Sequence, residues 1–77
     1  KMEKLMNILK ELRPEVDFAN EQKLIDNAVL DSFDMVSLIG ELNEAFDVEI
    51  SFDEIEPENF NSAERIWKMI QNLKQEG

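Results

Sequence analysis

Cysteine and histidine are both missing from this 77-residue chain. Without cysteine there is no disulfide, no thiolate metal ligand and no thiol nucleophile. Without histidine the commonest general base and the usual activators of a nucleophile are gone. No apolar run approaches the roughly 20 residues of a membrane span, and no signal-peptide core is present. A soluble, cytoplasmic protein without stable membrane insertion is therefore expected. Basic residues are missing from the whole middle of the chain. Lys23 is the last before Arg65, and between them stand twelve acids: Asp26, Asp31, Asp34, Asp47, Asp53, Glu41, Glu44, Glu49, Glu54, Glu56, Glu58 and Glu64. The net charge is −10, from 18 acids and 8 bases. Such a field repels nucleic acid and anionic membrane, and it steers basic protein surfaces inward. It also costs stability through self-repulsion, which salt should relieve.

What is present is enough for one small domain, residues 1–77. The hydrophobic fraction of 43% is that of a globular protein. The periodicity predicts a helix over residues 2–13, with Met2, Leu5, Leu9 and Leu12 as its buried stripe, Met6 and Ile8 beside it, and Pro14 as its stop. Residues 14–30 form a long connection. Its Val16, Phe18, Leu24, Ile25, Val29 and Leu30 are too apolar for a disordered linker, so it should lie pinned across the other elements; loops of this length are often functional. A second helix is expected over 32–46, and Val48 or Ile50 should anchor the short alternating run after it. Ser51 and Glu54 fit a capping box for a short helix over 52–56 that Pro57 ends. Asn61 with Glu64 predicts the cap of a last helix over 62–75, whose stripe is Ala63, Ile66, Trp67, Ile70 and Leu73. The expected fold is all-α: a small antiparallel bundle of three long helices and one short one.

The second helix carries the most information. Met35, Leu38, Ile39, Leu42, Ala45 and Phe46 recur at helical steps and form an inward stripe. Asp34, Ser37, Glu41 and Glu44 share another face, which carries negative charge only. Phe33, Val36, Gly40 and Asn43 lie between, so that Phe33 and Val36 put apolar groups beside Ser32 at the helix start. Four serines are available. Ser51 and Ser62 have structural work at helix starts, and Ser37 sits in mid-helix. Asp31 can serve as the N-cap of the second helix, which leaves the Ser32 hydroxyl free of capping duty and facing solvent.

With these residues in the stretch L-D-S-F-D-M-V-S-L, Leu30 to Leu38, the chain resembles the acyl carrier protein family, whose core motif is G-x-D-S-L-x-x-V-E-L. The resemblance runs from the first helix through Leu73. It implies a covalent 4′-phosphopantetheine on Ser32, next to Asp31, transferred from coenzyme A by a separate phosphopantetheinyl transferase. The arm's thiol would supply the sulfur the chain lacks, and a phosphodiester at a helix N-terminus meets free N–H groups and the positive end of the dipole. The implied protein is a monomeric carrier and not an enzyme. It presents acyl or aminoacyl thioesters to loading ligases and synthases with basic surfaces, in fatty acid, polyketide or nonribosomal peptide biosynthesis. The Ser32-Phe33 pair and the longer segment from Ser51 to Asn61 look similar to D-alanyl carriers and to stand-alone peptide or polyketide carriers. The expected docking surface is Phe33, Asp34, Val36, Glu41 and Glu44. Three positions depart from the family pattern: Asn27-Ala28-Val29 stands where a glycine is expected, Ser37 replaces an acid, and Gly40 replaces a larger apolar residue.

A calcium site is the competing reading of the acids. Asp47, Glu49, Ser51 and Glu58 fall at positions 1, 3, 5 and 12 of an EF-hand-like loop. Phe52 then occupies the position that requires glycine, and Pro57 breaks the helix that should leave the loop. No metal ligand is therefore assigned. A bare protein-interaction domain is the other alternative, and it differs from a carrier in accepting no arm on its serine.

Overall fold

The computed structural model describes residues 2–76 and resolves them into α1 (Met2–Leu12), α2 (Ser32–Phe46), a 3-10 turn (Phe52–Glu54), α3 (Pro57–Phe60) and α4 (Ala63–Glu76). Among the described residues there is no strand. Helix α1 packs against both α2 and α4, and the short α3 packs on α4. The all-α bundle of three long helices and one short one is the observed architecture.

The stripes explain which faces turn inward. Leu5 and Leu9 of α1, Leu38 and Leu42 of α2, and Ile66 and Ile70 of α4 are all fully buried. Fully burying a side chain of this size contributes about 1.5–3 kcal/mol, so these six form the centre of a core that Met35, Phe46, Ala63 and Met69 extend. Met2, Met6, Ile8 and Leu12 are half-buried at the edges of the same core, as are Ile39, Ala45, Trp67 and Leu73. The Arg13 N–H still bonds the Leu9 carbonyl at 3.0 Å, one residue past α1 and just before Pro14. Helix α2 ends at Asp47, which turns left-handed at φ 55° and returns its N–H to Asn43 O. Ile50, rather than Val48, is the buried anchor beyond it, with its N–H on Asn43 Oδ1 at 3.0 Å.

The connection between α1 and α2 lies pinned on the bundle. Phe18, Leu24 and Leu30 are buried, and Val16, Ile25 and Val29 pack against the core. Backbone carbonyls near 24 close it into a compact turn, with Val29 N–H and Leu30 N–H both on Leu24 O at 2.9 and 3.2 Å.

Two expectations need correction. The short helix is α3 at 57–60, not 52–56; residues 52–54 make only a 3-10 turn, and Pro57 opens α3 at its first position instead of closing a helix. Proline suits that place because the first helical N–H has no partner to lose. The second correction concerns α4, whose cap is Ser62 and not Asn61. Ser62 Oγ accepts the Arg65 N–H at 3.2 Å. Asn61 is buried and its amide is spent on the long connection: Oδ1 accepts the N–H groups of Ile25 and Asp26 at 2.9 and 3.1 Å, and Nδ2 donates to Asp26 Oδ2 at 3.0 Å. Those two N–H groups sit at a part-buried position, where an unpaired donor costs about 1–3 kcal/mol.

Candidate functional site

Ser32 is the first residue of α2, and the turn around it is held by its neighbours. Asp31 Oδ1 accepts the Asp34 N–H at 2.8 Å, and Asp34 Oδ2 accepts the Asp31 N–H at 3.2 Å. This reciprocal pair is a capping box built from two aspartates. It satisfies the helix start without using the serine, whose side chain is exposed. The N–H groups of Ser32 and Phe33 are too early in the helix to find an intrahelical acceptor. Among the described residues no other group takes them, and none bonds Ser32 Oγ.

An exposed hydroxyl beside two free N–H groups at the positive end of a 15-residue helix can hold a phosphate ester. The residues present therefore fit a phosphodiester on Ser32. Asp31 is committed to the cap, and Asp34 has its own cation. Arg13 Nη1 donates to Asp34 Oδ2 at 2.7 Å, and Arg13 Nε donates to Glu15 Oε2 at 2.9 Å. Glu15 and, after it, Asp34 raise the Arg13 guanidinium pKa above its ordinary value. The Glu15 carboxyl is lowered, first by its own backbone N–H and then by Arg13.

Four of the five residues of the expected surface are exposed on α2. Phe33 and Val36 stand out of the core, 80% and 71% exposed. Glu41 and Glu44 are exposed further along the helix, beside Lys4, Ile8 and Glu11 of α1. Among the described residues ion pairs form only at Arg13, so neither glutamate is in one. Asp34 departs from the expectation that placed it with them on the exposed acidic face. Its side chain is only 12% exposed, because the first turn folds it back onto the Asp31 N–H and against Arg13. Gly40 lies on the exposed side, and a Cβ built on it would meet nothing within 4 Å. No internal contact requires the glycine.

Three residues that matter here are outside the expected set. Arg13 reaches Asp34 across 21 positions, which no local pattern reveals. Asn61 ties α4's entrance to the connection that delivers Ser32, over 35 and 36 positions; the Asn-x-x-Glu spacing drew it to a cap instead. Ala28 has φ 54°. It lies in Asn27-Ala28-Val29, where the glycine is missing, and it takes the left-handed backbone that glycine favours. An alanine there costs on the order of 1–2 kcal/mol. A further exposed aromatic, Phe52 on the 3-10 turn, was not expected.

A family model described as phosphopantetheine attachment site matches residues 3–67, from the first turn of α1 to Trp67 in α4. No curated protein matches the chain.

Proposed function

The chain belongs to the phosphopantetheine attachment family, a domain that carries 4′-phosphopantetheine covalently, and we propose that Ser32 is the residue that bears the arm. The observation that carries this is the free, exposed hydroxyl at the first position of α2, with its capping work done by Asp31 and Asp34. In the transfer, Ser32 Oγ bonds the phosphorus nearer the pantetheine of coenzyme A. The P–O–P link breaks, adenosine bisphosphate leaves, and the hydroxyl proton passes to a base on the transferase, since Asp31 and Asp34 beside Ser32 are committed to the cap. Once bound, the arm supplies a thiol for thioester chemistry. The chain's own residues hold and present Ser32.

The docking surface of this reading is Phe33 and Val36 as apolar centre with Glu41 and Glu44 as acidic rim, which suits a small transient contact with a basic enzyme surface. Partners are a phosphopantetheinyl transferase and the ligases and synthases that load and unload an acyl or aminoacyl thioester. Charge steering should make association fast at low salt and weaker as salt rises. The Ser32-Phe33 pair and the long segment from Ser51 to Asn61 resemble both D-alanyl carriers and stand-alone peptide or polyketide carriers, so the reading covers acyl and aminoacyl cargo. Intact mass of the protein from its native host tests the reading and separates the cargoes. An added arm on the peptide containing Ser32, with an acyl or aminoacyl increment, supports it. An arm mapped to Ser37, Ser51 or Ser62 overturns it.

A further inference from the structure

Arg13 closes a chain of bonds around Ser32. Its Nη1 holds Asp34 Oδ2, and the same oxygen holds the Asp31 N–H. Asp31 Oδ1 returns to the Asp34 N–H. The backbone before and after Ser32 is thus clamped by a box whose outer support is one guanidinium from the end of α1. The support is not easily replaced. The Asp34 side chain is 12% exposed and that of Arg13 33%, and residues 24–64 hold no base. Without Arg13, a nearly buried carboxylate would stand beside Asp31 with no countercharge. Its escape is to swing toward water, which releases the Asp31 N–H and frays the turn that carries Ser32. Of the docking residues, Phe33 sits in the same turn, but the others do not share this dependence. Val36, Glu41 and Glu44 lie further along α2, where Met35, Leu38 and Leu42 hold the helix to the core.

We infer that Arg13 is a positioning residue for arm transfer: through the Asp31–Asp34 box it fixes the Ser32 hydroxyl relative to the docking face. The inference rests on Ser32 as the attachment residue. It predicts a larger effect on catalysis than on binding, because Arg13 braces the turn of Ser32 and Phe33 while Val36, Glu41 and Glu44 dock from the part of α2 held by the core.

The test compares wild type, Arg13→Gln, Arg13→Lys and Glu15→Gln as substrates of a broad-specificity transferase with coenzyme A, together with amide hydrogen exchange of each unmodified protein. Arg13→Gln should lower kcat about 10-fold, within the range that misplacing a reacting group produces, while KM for the carrier stays within about 2-fold. Exchange at the Asp31 and Asp34 amides should rise without change at Leu38–Phe46. Arg13→Lys should recover part of the loss, and Glu15→Gln should match wild type. A wild-type kcat in Arg13→Gln, a loss in KM alone, or faster exchange throughout the bundle overturns the inference. Should Arg13→Gln fail to fold, the same substitution is made in the Asp34→Asn background, which keeps an acceptor for the Asp31 N–H without the charge. No further loss of kcat is expected there, and an additional loss overturns the inference. A wild-type protein that gains no arm refutes the attachment reading instead, and the exchange comparison then decides the role of Arg13 on its own.

Discussion

The two ends of α2 are built on opposite plans. At the C-terminal end the last aromatic and the last carbonyls are consumed inside the bundle. Phe46 is buried and meets Trp67 edge-on, with ring centroids 5.8 Å apart. Lys4 donates to Ala45 O at 2.8 Å and lies over the Phe46 ring, and Lys74 donates to Phe46 O at 3.0 Å. Helix α2 has no base in its own last turn, so two lysines from α1 and α4 satisfy the carbonyls and the negative dipole end. At the N-terminal end two aspartates cap the helix locally, braced by Arg13 from the end of α1, and they leave a hydroxyl, two N–H groups, a phenylalanine and a valine to the solvent. A helix end closed by its neighbours fixes the fold, whereas an end closed by its own cap can offer groups to a partner.

The contrast is broken most strongly by exchanging which aromatic is removed. Phe46→Ala should cost about 3–5 kcal/mol, much of the stability of so small a domain, and urea or thermal unfolding will show it. Phe33→Ala should stay within about 0.5 kcal/mol of wild type yet impair arm transfer. Near-complete unfolding of Phe33→Ala would place its ring in the core and remove the docking surface from the account.

A smaller loss is expected beneath the open end. Asn61→Ala leaves the Ile25 and Asp26 N–H groups without their acceptor and should cost about 1–3 kcal/mol. Amide exchange should then rise at those two residues before it rises in α2. Equal exchange there, with an unchanged denaturation midpoint, would show that the amide does not pin the connection.

Between the two ends, Gly40 offers a change in the other direction. Alanine meets open space there and should stabilise the helix by about 1 kcal/mol, seen as a higher Tm. A lower Tm would reveal a packing demand on the glycine.

The smallest effect is at Glu15. Its carboxyl titrates below the ordinary value, so its contribution is present above the unfolded pKa of about 4.3 and is lost as pH falls through the lower folded value. Stability curves of wild type and Glu15→Gln should differ slightly at neutral pH and converge in acid. A difference that grows in acid would contradict the stabilisation of the ionised carboxylate by its own backbone N–H and by Arg13.

What the sequence makes legible follows the range of the interactions. Helix α2 reads out to its ends because Asp31 caps locally and the stripe from Met35 to Phe46 has one period. The exposure of Ser32, Phe33 and Val36 follows from the same periodicity. Asp34 does not, since its burial depends on Arg13, 21 positions away. Asn61 fits a cap on spacing alone, and Ser62 beside it takes that place because the buried connection needs the amide more. The left-handed Ala28 is also hidden, because alanine is not the residue that signals such a turn.

The most direct test is the intact mass of wild type and Ser32→Ala after incubation with coenzyme A and a broad-specificity transferase. The account predicts one arm on wild type and none on Ser32→Ala, with the same helical signal from both, because the cap belongs to Asp31 and Asp34. An arm on the alanine variant, or none on wild type, would contradict it.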